Sequence, residues 1–124
     1  METGNAELKD QVRIEMEDLV DNMCMALNDP KRLMVLWALR EGPHSVGELS
    51  DLLESPPSNV SQHLAILRTR GLVDTERQGN SIYYHLRHPK IIVAIDLLRE
   101  VLRDEIDRRS GIVASDSQDR GRTR

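Results

Sequence analysis

Apolar residues recur every three or four positions along most of this chain, and the spacing changes to two in one short region. Over residues 7–28 the recurring positions fall on one side of a helix, and the remaining positions are strongly polar. This first stripe comprises Leu8, Val12, Met16, Leu19, Met23 and Leu27. Asn28-Asp29-Pro30 ends the helix, because proline disfavours helical geometry at the residue that precedes it. The pattern therefore predicts a long first helix.

Two shorter helices are predicted next. Residues 31–40 form the second, with Leu33, Leu36 and Trp37 facing inward and Met34 as a further inward candidate. Ser45 begins the third, because Glu48 stands three residues later, the spacing at which the two side chains cap each other's backbone N–H groups. The buried side of this third helix is expected to comprise Val46, Leu49, Leu52 and Leu53.

The fourth helix has an unusually polar start. Ser55 is predicted as its N-cap and Pro56 as its first residue, since proline is well suited to the first helical position. Gly71 is expected to end the helix in a left-handed conformation. Its inner face comprises Val60, Leu64 and Leu67.

Alternation with a period of two follows the fourth helix. Residues 72–77 and 81–86 suit strands, and Gln78-Gly79-Asn80 supplies turn residues between them, so a β-hairpin is predicted. A last helix is predicted over residues 89–109, with a stripe comprising Ile92, Ile95, Leu98, Leu102 and Ile106. Residues 110–124 contain few apolar side chains and are expected to form a disordered tail.

The order of elements predicts a mainly α fold with a small β-hairpin, of the winged helix-turn-helix class. We expect a flexible N-terminus over residues 1–6, one DNA-binding and dimerisation domain over 7–109, and the tail over 110–124. The absence of Phe, with one Trp and two Tyr in the chain, requires a core of aliphatic side chains. One cysteine, no apolar run of membrane-spanning length and no signal segment favour a cytoplasmic protein without a membrane partner.

Net charge is unevenly distributed along the chain. The whole chain carries −4, but residues 1–29 hold eight acidic residues against two basic ones, so this segment carries −6 and the remainder +2. An acidic arm on a mildly basic body is compatible with nucleic-acid binding, although the balance alone does not predict it.

Four segments carry a resemblance to a known family. In order, they read NDPKRLMVLWAL, SVGELSDLL, NVSQHLAILRTRGLV and RQGNSIYYHL. They resemble the ArsR/SmtB family of bacterial and archaeal repressors over roughly residues 20–100. The resemblance implies a homodimer that binds a partly palindromic stretch of double-stranded DNA, represses nearby genes, and is released when an inducer, often a metal ion, binds.

Short polar side chains on the outer side of the fourth helix are the candidate DNA contacts. Donors and acceptors of this size suit base edges and phosphates in a major groove about 12 Å wide. By resemblance, Ser58, Ser61 and Gln62 meet the major groove, while Arg77 in the wing neutralises a phosphate or enters the minor groove. The full candidate set is Ser58, Asn59, Ser61, Gln62, His63, Arg68, Arg77, Gln78 and Asn80. The alternative is a solvated helix face with capping residues. For His63, which also matches the family motif, packing against the domain is a further alternative.

Some residues near this helix leave their role open or depart from the family pattern. Arg68, Arg70 and Lys31 are candidates for phosphate contacts, and a purely solubilising surface role is an equal alternative for each. Pro57 removes a polar contact that the family pattern expects, and Glu54 would repel a phosphate unless it points away.

The family's sensor positions lack their usual ligands. Where the family has the pattern ELCxC, this chain has ELSDL, without a thiolate. The positions of the second family site correspond to His88, Lys90, Val101 and Asp104, and neither Lys nor Val serves as a ligand there. A dithiol switch requires two cysteines, and the chain has only Cys24. No cofactor is therefore predicted; His85 and His88 remain candidates for a Ni²⁺ or Zn²⁺ site completed by a partner carboxylate, or are simply hydrated surface residues.

Apolar stripes on the first and last helices predict the dimer surface. Its candidate residues are Leu8, Val12, Met16, Leu19, Ile95, Leu98, Leu102 and Ile106. The alternative is that these stripes cover their own subunit. By resemblance, the two helices pack at the two-fold axis, so that the recognition helices face successive major grooves about 34 Å apart.

The sequence thus predicts a sequence-specific DNA-binding transcriptional regulator, a homodimeric repressor released by an inducer that the residues do not identify. One alternative is a nickel- or zinc-responsive repressor with a different His and carboxylate site, and another is a winged-helix module that acts through protein contacts. An enzyme is not expected, since the chain has no nucleophile and base pattern, no glycine-rich phosphate loop and no clustered carboxylates in an apolar setting.

Overall fold

The computed structural model describes residues 2–115, and its helices and strands follow the predicted order with one additional strand. The elements are α1 (Glu2–Asp18), a π-helical turn (Leu19–Cys24), α2 (Pro30–Leu39), β1 (His44–Ser45), α3 (Val46–Leu53), α4 (Pro57–Thr69), β2 (Val73–Gln78), β3 (Ser81–Leu86) and α5 (Lys90–Ser115). A boundary between two compact units falls between His88 and Pro89.

The first helix differs from the prediction at both ends. It begins at Glu2 rather than near residue 7. Residues 2–6 are helical but add nothing to the apolar stripe, so the stripe did not indicate them. After Asp18 the helix continues as the π-helical turn Leu19–Cys24, which the prediction of one long helix over 7–28 did not specify. Periodicity marks the face of a helix but does not distinguish an α turn from a π turn.

α2 is capped by the residue before its first proline. The Asp29 carboxylate accepts a hydrogen bond from the N–H of Lys31 at 2.7 Å. This bond is the main reason why the pKa of Asp29 lies below its ordinary value. α2 therefore begins one residue earlier than predicted, with Pro30 at its first position.

The inward orientation predicted for Trp37 was wrong. Its side chain is 36% exposed, and the guanidinium of Arg40 lies 3.9 Å from the centre of its ring. Four other residues of α2 are buried, namely Val35, Leu36, Ala38 and Leu39. At 100° per residue these four share one side of the helix, and position 37 lies on the other. Leu36 is confirmed as a core residue.

α3 forms the predicted capping box but buries less of its surface than expected. Leu49 is fully buried, whereas Leu52 is 55% exposed, and Val46 and Leu53 are half-buried. The helix is only eight residues long, so its inner side contacts the core over a short distance.

The start of α4 is one residue later than predicted. Pro56 is the N-cap and Pro57 the first helical residue, so Ser55 does not cap the helix. The reason lies in the preceding turn, where Glu54 adopts a left-handed conformation with φ of 51° and the Ser50 hydroxyl donates to the Ser55 carbonyl. Ser55 is thereby held in the connection between the two helices.

The end of α4 follows the prediction. Gly71 has φ of 82°, a conformation that suits glycine. Its N–H donates to the carbonyl of Arg68 at 3.0 Å, and the N–H of Leu72 donates to the carbonyl of Leu67 at 2.9 Å. These two bonds form a Schellman motif, which ends the helix and directs the chain into the hairpin.

The sheet has three antiparallel strands in the order β1-β3-β2. β2 and β3 form the predicted hairpin, with Gln78 opposite Ser81 across the two-residue turn Gly79-Asn80. β1 was not predicted: His44 pairs with Tyr84, and Ser45 with Tyr83. A strand of two residues is too short to show alternation.

The interior between α2, α3, α4 and the hairpin is aliphatic. Its largest fully buried side chains are Leu36, Leu49, Leu64, Leu67, Leu72, Val35, Val60 and Val73. The predicted inner face of α4 is confirmed, since Val60, Leu64 and Leu67 are each at most 1% exposed. This core fixes which side of α4 faces outward.

α5 continues to Ser115, beyond the predicted end at residue 109. Residues 110–115 of the predicted tail are therefore helical, and residues 116–124 lie outside the described residues. Ion pairs between Glu105 and Arg108 and between Asp96 and Arg99 support the exposed side of the helix. Within residues 2–115, no helix has the length and apolar character needed to cross a membrane.

Candidate nucleic-acid interface

The outer side of α4 carries an exposed group of short polar side chains. Ser58, Ser61 and Gln62 are all exposed, on the side opposite the buried Val60 and Leu64. α4 contains no acidic residue, and its N-terminus carries the partial positive charge of the helix dipole. The face is thus chemically suited to approach phosphates and base edges.

α4 is held by packing against α2 and α3 and by the turns at its two ends. The left-handed Glu54 and the two prolines direct the chain into its first turn, and the Schellman motif closes its last. α3 and α4 are the two helices of the helix-turn-helix, and α4 is the recognition helix. β2 and β3 form the wing that follows it.

Asn59 and His63 are less accessible than the other candidates on α4. Both are half-buried, and Nδ1 of His63 is closed off from solvent without a hydrogen-bond partner among the described residues. His63 lines a cleft of about 300 Å³ between α2, α3 and α4, whose apolar wall includes Met34 and Leu52. The His63 ring is therefore packed toward the domain, and its Nδ1 does not face the outer side of the helix.

The wing candidates lie at the end of the hairpin and are exposed. Arg77 and Gln78 end β2, and Asn80 lies in the turn. The Arg77 Nε donates to the carbonyl of Gly79 at 3.4 Å, which orients the guanidinium along the turn. The structure thus brings a cation and two amide side chains together at one edge.

Arg68 and Arg70 lie at the C-terminal end of α4, and both are exposed. Nη1 of Arg70 donates to Oδ1 of Asn22 at 3.2 Å, a contact that the sequence did not indicate because the two residues are 48 positions apart. Lys31 is exposed at the start of α2, next to the cap formed by Asp29.

Ser50, His85 and His88 lie at positions that were considered from the sequence for a metal sensor. The Ser50 hydroxyl donates to the Ser55 carbonyl. Nδ1 of His85 lies 3.2 Å from the carbonyl oxygen of Leu86, and His88 is exposed. Among the side chains that the structure describes, residues 4–111, no three His, Cys, Asp or Glu lie together as metal ligands would.

Most of the predicted dimer stripe is exposed in the single chain. On α1 and the π-helical turn, the exposed members are Leu8, Val12, Met16 and Leu19. On α5 they are Leu98, Leu102 and Ile106, with Leu98 at 64%. Ile95 is the exception: it is only 7% exposed and so offers little surface for a partner to cover.

The recognition helix, its buried aliphatic face and the hairpin behind it define a winged helix-turn-helix DNA-binding protein. Residues 29–75 match the model of the family described as "Bacterial regulatory protein, arsR family". This protein belongs to that family and is a DNA-binding transcriptional regulator.

Curated relatives and solved structures agree with this assignment. The chain is 40% identical over 76 residues to the transcriptional activator HlyU of Vibrio cholerae, covering 61% of this chain and 70% of the relative. It is 35% identical over 100 residues to the biofilm growth-associated repressor of Xylella fastidiosa, covering 74% of this chain and 88% of the relative. The crystal structure of Rv0081 from M. tuberculosis superposes with a TM-score of 0.69 at 32% identity, covering 77% of this chain and 96% of that chain.

Proposed function

We propose that this protein is a homodimeric transcriptional repressor that binds a partly palindromic DNA site and is released by an inducer. The observation that carries the proposal is the exposed group Ser58, Ser61 and Gln62 on α4, opposite a fully buried aliphatic face and free of acidic side chains. In this role Ser61 and Gln62 contact base edges, while Arg77 contacts the DNA backbone or the minor groove from the wing.

The exposed apolar side chains of α1 and α5 support the homodimer. Leu8, Leu98 and Leu102 are each more than half exposed in the single chain. Apolar side chains that recur along one face of a helix form a continuous strip, and exposed apolar patches of this kind mark interaction sites. A two-fold dimer places its recognition helices about 34 Å apart, which is the spacing of successive major grooves.

The inducer in this proposal is not a metal held by the family's usual ligands, because Ser50, Lys90 and Val101 stand at those positions. The proposal assigns no resident cofactor and no catalytic step, and it places the protein in the cytoplasm with its DNA. HlyU carries the name of an activator, whereas the Xylella relative is a repressor. The repressing direction is therefore tested separately with a promoter reporter.

The DNA-binding experiment selects genomic fragments with the purified protein and titrates the enriched fragment at 50 and 200 mM salt. Sequence-selective binding that weakens steeply with salt supports the proposal, since cationic contacts release counterions from DNA. The double variant Ser61→Ala with Gln62→Ala is expected to lose selectivity. The matched control is Gln11→Ala with Ser110→Ala, which removes the same two side-chain types from exposed positions outside α4. Equal loss in both variants would overturn the assignment.

The inducer is sought by repeating the titration with divalent metals, oxidants and a chelator. Release by Ni²⁺ or Zn²⁺ that is abolished by His85→Ala with His88→Ala would assign these histidines to a metal site. Release by another compound, unaffected by that variant, supports the proposal as stated.

A further inference from the structure

The side-chain amide of Asn22 joins the N-terminal helical segment to the recognition helix. Its Nδ2 donates to the backbone carbonyl of Asp18 at 2.9 Å, and its Oδ1 accepts from Nη1 of Arg70 at 3.2 Å. Arg70 is the C-cap residue of α4. A single amide group thus connects two elements that lie far apart in the sequence.

Asn22 lies in the π-helical turn, where the backbone N–H of Met25 bonds to the carbonyl of Val20, five residues back instead of four. The side-chain Nδ2 of Asn22 donates to the carbonyl of Asp18, the residue that precedes the turn. With Nδ2 committed in this way, the amide plane is fixed and Oδ1 is directed at Arg70.

The Asn22 side chain offers an acceptor to Arg70 and a donor to the Asp18 carbonyl, and the tether to the recognition helix needs the acceptor. Asparagine supplies both, whereas aspartate keeps only the acceptor and alanine keeps neither. The guanidinium of Arg70 is a donor only, so its bond to Oδ1 has one possible direction.

The position of this bond gives it a consequence for DNA binding. Leu19, in the same π-helical turn as Asn22, belongs to the exposed apolar stripe proposed for the dimer, and Arg70 ends the helix proposed to enter the major groove. A change in the angle between these two elements changes the distance between the two recognition helices of a dimer. Half-site spacing is set by that distance.

We propose that Asn22 is a positioning residue: through Arg70 it fixes the recognition helix relative to the dimer surface and so selects the spacing of the two DNA half-sites. This inference rests on the proposed function, because it requires a dimer that binds two half-sites. It assigns Arg70 to the tether, as opposed to the phosphate contact considered from the sequence.

The test measures the affinity of the full chain for three DNA duplexes and for an isolated half-site, by fluorescence anisotropy. The duplexes carry the selected site with its natural spacing and with one base pair added or removed. Asn22→Ala is expected to weaken the affinity for the duplex with natural spacing about fivefold, which corresponds to the loss of one ordinary hydrogen bond. It is also expected to reduce the preference over the altered spacings, while half-site affinity stays unchanged.

Two further variants separate the tether from a general effect on folding. Asn22→Asp keeps the acceptor for Arg70 and is expected to retain the spacing preference. Asn5→Ala, an exposed asparagine of α1, is the matched control and is expected to behave as the unmodified chain. Thermal unfolding of each variant confirms that it is folded at the temperature of the assay.

The decisive comparison is a double-mutant cycle on Asn22 and Arg70. If the two residues act through one bond, Asn22→Ala combined with Arg70→Ala weakens binding no more than either change alone. Additive losses, or a loss of half-site affinity in Arg70→Ala, would overturn the tether and assign Arg70 to the phosphate backbone. If the unmodified chain binds DNA without any preference for half-site spacing, the proposed binding to two half-sites itself fails. If Asn22→Ala and Arg70→Ala both keep the spacing preference of the unmodified chain, only the positioning role of Asn22 is rejected.

Discussion

Ser45 and Glu48 each hydrogen-bond the backbone of the other at the first turn of α3. The Ser45 hydroxyl accepts from the N–H of Glu48, and the Glu48 carboxylate accepts from the N–H of Ser45, both at 3.1 Å. Ser45 also belongs to β1, which pairs with the wing strand β3. This one pair therefore fixes the start of the first helix of the helix-turn-helix and the point where the sheet meets it.

Removal of this cap is predicted to destabilise the protein. Ser45→Ala is expected to lower the free energy of unfolding by about 1 kcal/mol, because one N–H of the first turn loses its acceptor. Urea unfolding followed by circular dichroism measures the change. Ser110→Ala, at an exposed position of α5, is the control and should leave the unfolding midpoint unchanged.

The same pair predicts a dependence of stability on pH. The N–H of Ser45, and then His44, hold the pKa of Glu48 below its ordinary value of 4.5. A carboxyl whose pKa is lower in the folded than in the unfolded protein stabilises the fold above the unfolded pKa. This contribution disappears as the pH falls through the folded pKa. The stability difference between the unmodified chain and Glu48→Gln should therefore shrink below pH 4.5, and a difference that is constant from pH 7 to pH 3.5 would contradict it.

Leu36 and Trp37 are adjacent but predicted to differ in their effect on stability. Leu36→Ala should cost about 3 kcal/mol, because it leaves a cavity in a fully buried position. Trp37→Ala should cost roughly 1 kcal/mol, since the ring is partly exposed and its main specific contact is the Arg40 guanidinium. Denaturant unfolding of the two variants compares them directly. Equal losses would argue against the outward orientation of Trp37.

The α5 stripe is predicted to be required for dimerisation. Leu102→Asp should convert the protein to a monomer at micromolar concentration, because it places a charge in apolar surface that a partner covers. Arg103→Asp, at the next exposed position, is the control. Sedimentation equilibrium measures the mass of both variants, and circular dichroism checks that helix content is retained. A dimeric Leu102→Asp variant would place the interface elsewhere.

Arg77 is predicted to contribute affinity without sequence selectivity. Arg77→Ala should weaken binding to specific and unrelated DNA by a similar factor and reduce the slope of log affinity against log salt by about 1 per lost contact. Arg99→Ala removes an exposed arginine of α5 as the comparison. A selective loss on the specific site alone would instead indicate that Arg77 reads bases.

Much of the fold was predictable because the interactions that form it are local. Val60, Leu64 and Leu67 recur at helical spacing, Glu48 lies one turn from its cap, and Gly71 ends α4 through bonds within five residues. Each of these depends on neighbours in the chain, so composition and spacing suffice to indicate them. The exposed polar face of α4 could be predicted from the same spacing, because it is the side of the helix opposite the buried face.

Other features depend on partners that are distant in the sequence. β1 exists because His44 and Ser45 pair with β3, and the outward orientation of Trp37 follows from which side of α2 the core covers. The bond from Arg70 to Asn22 spans 48 positions, and Asn22 lies in a π turn that periodicity does not show. The sequence by itself thus determined the helices, the wing and the exposed polar face of α4. Only the tertiary structure decided how that face is held, because packing and long-range hydrogen bonds arise when the elements come together.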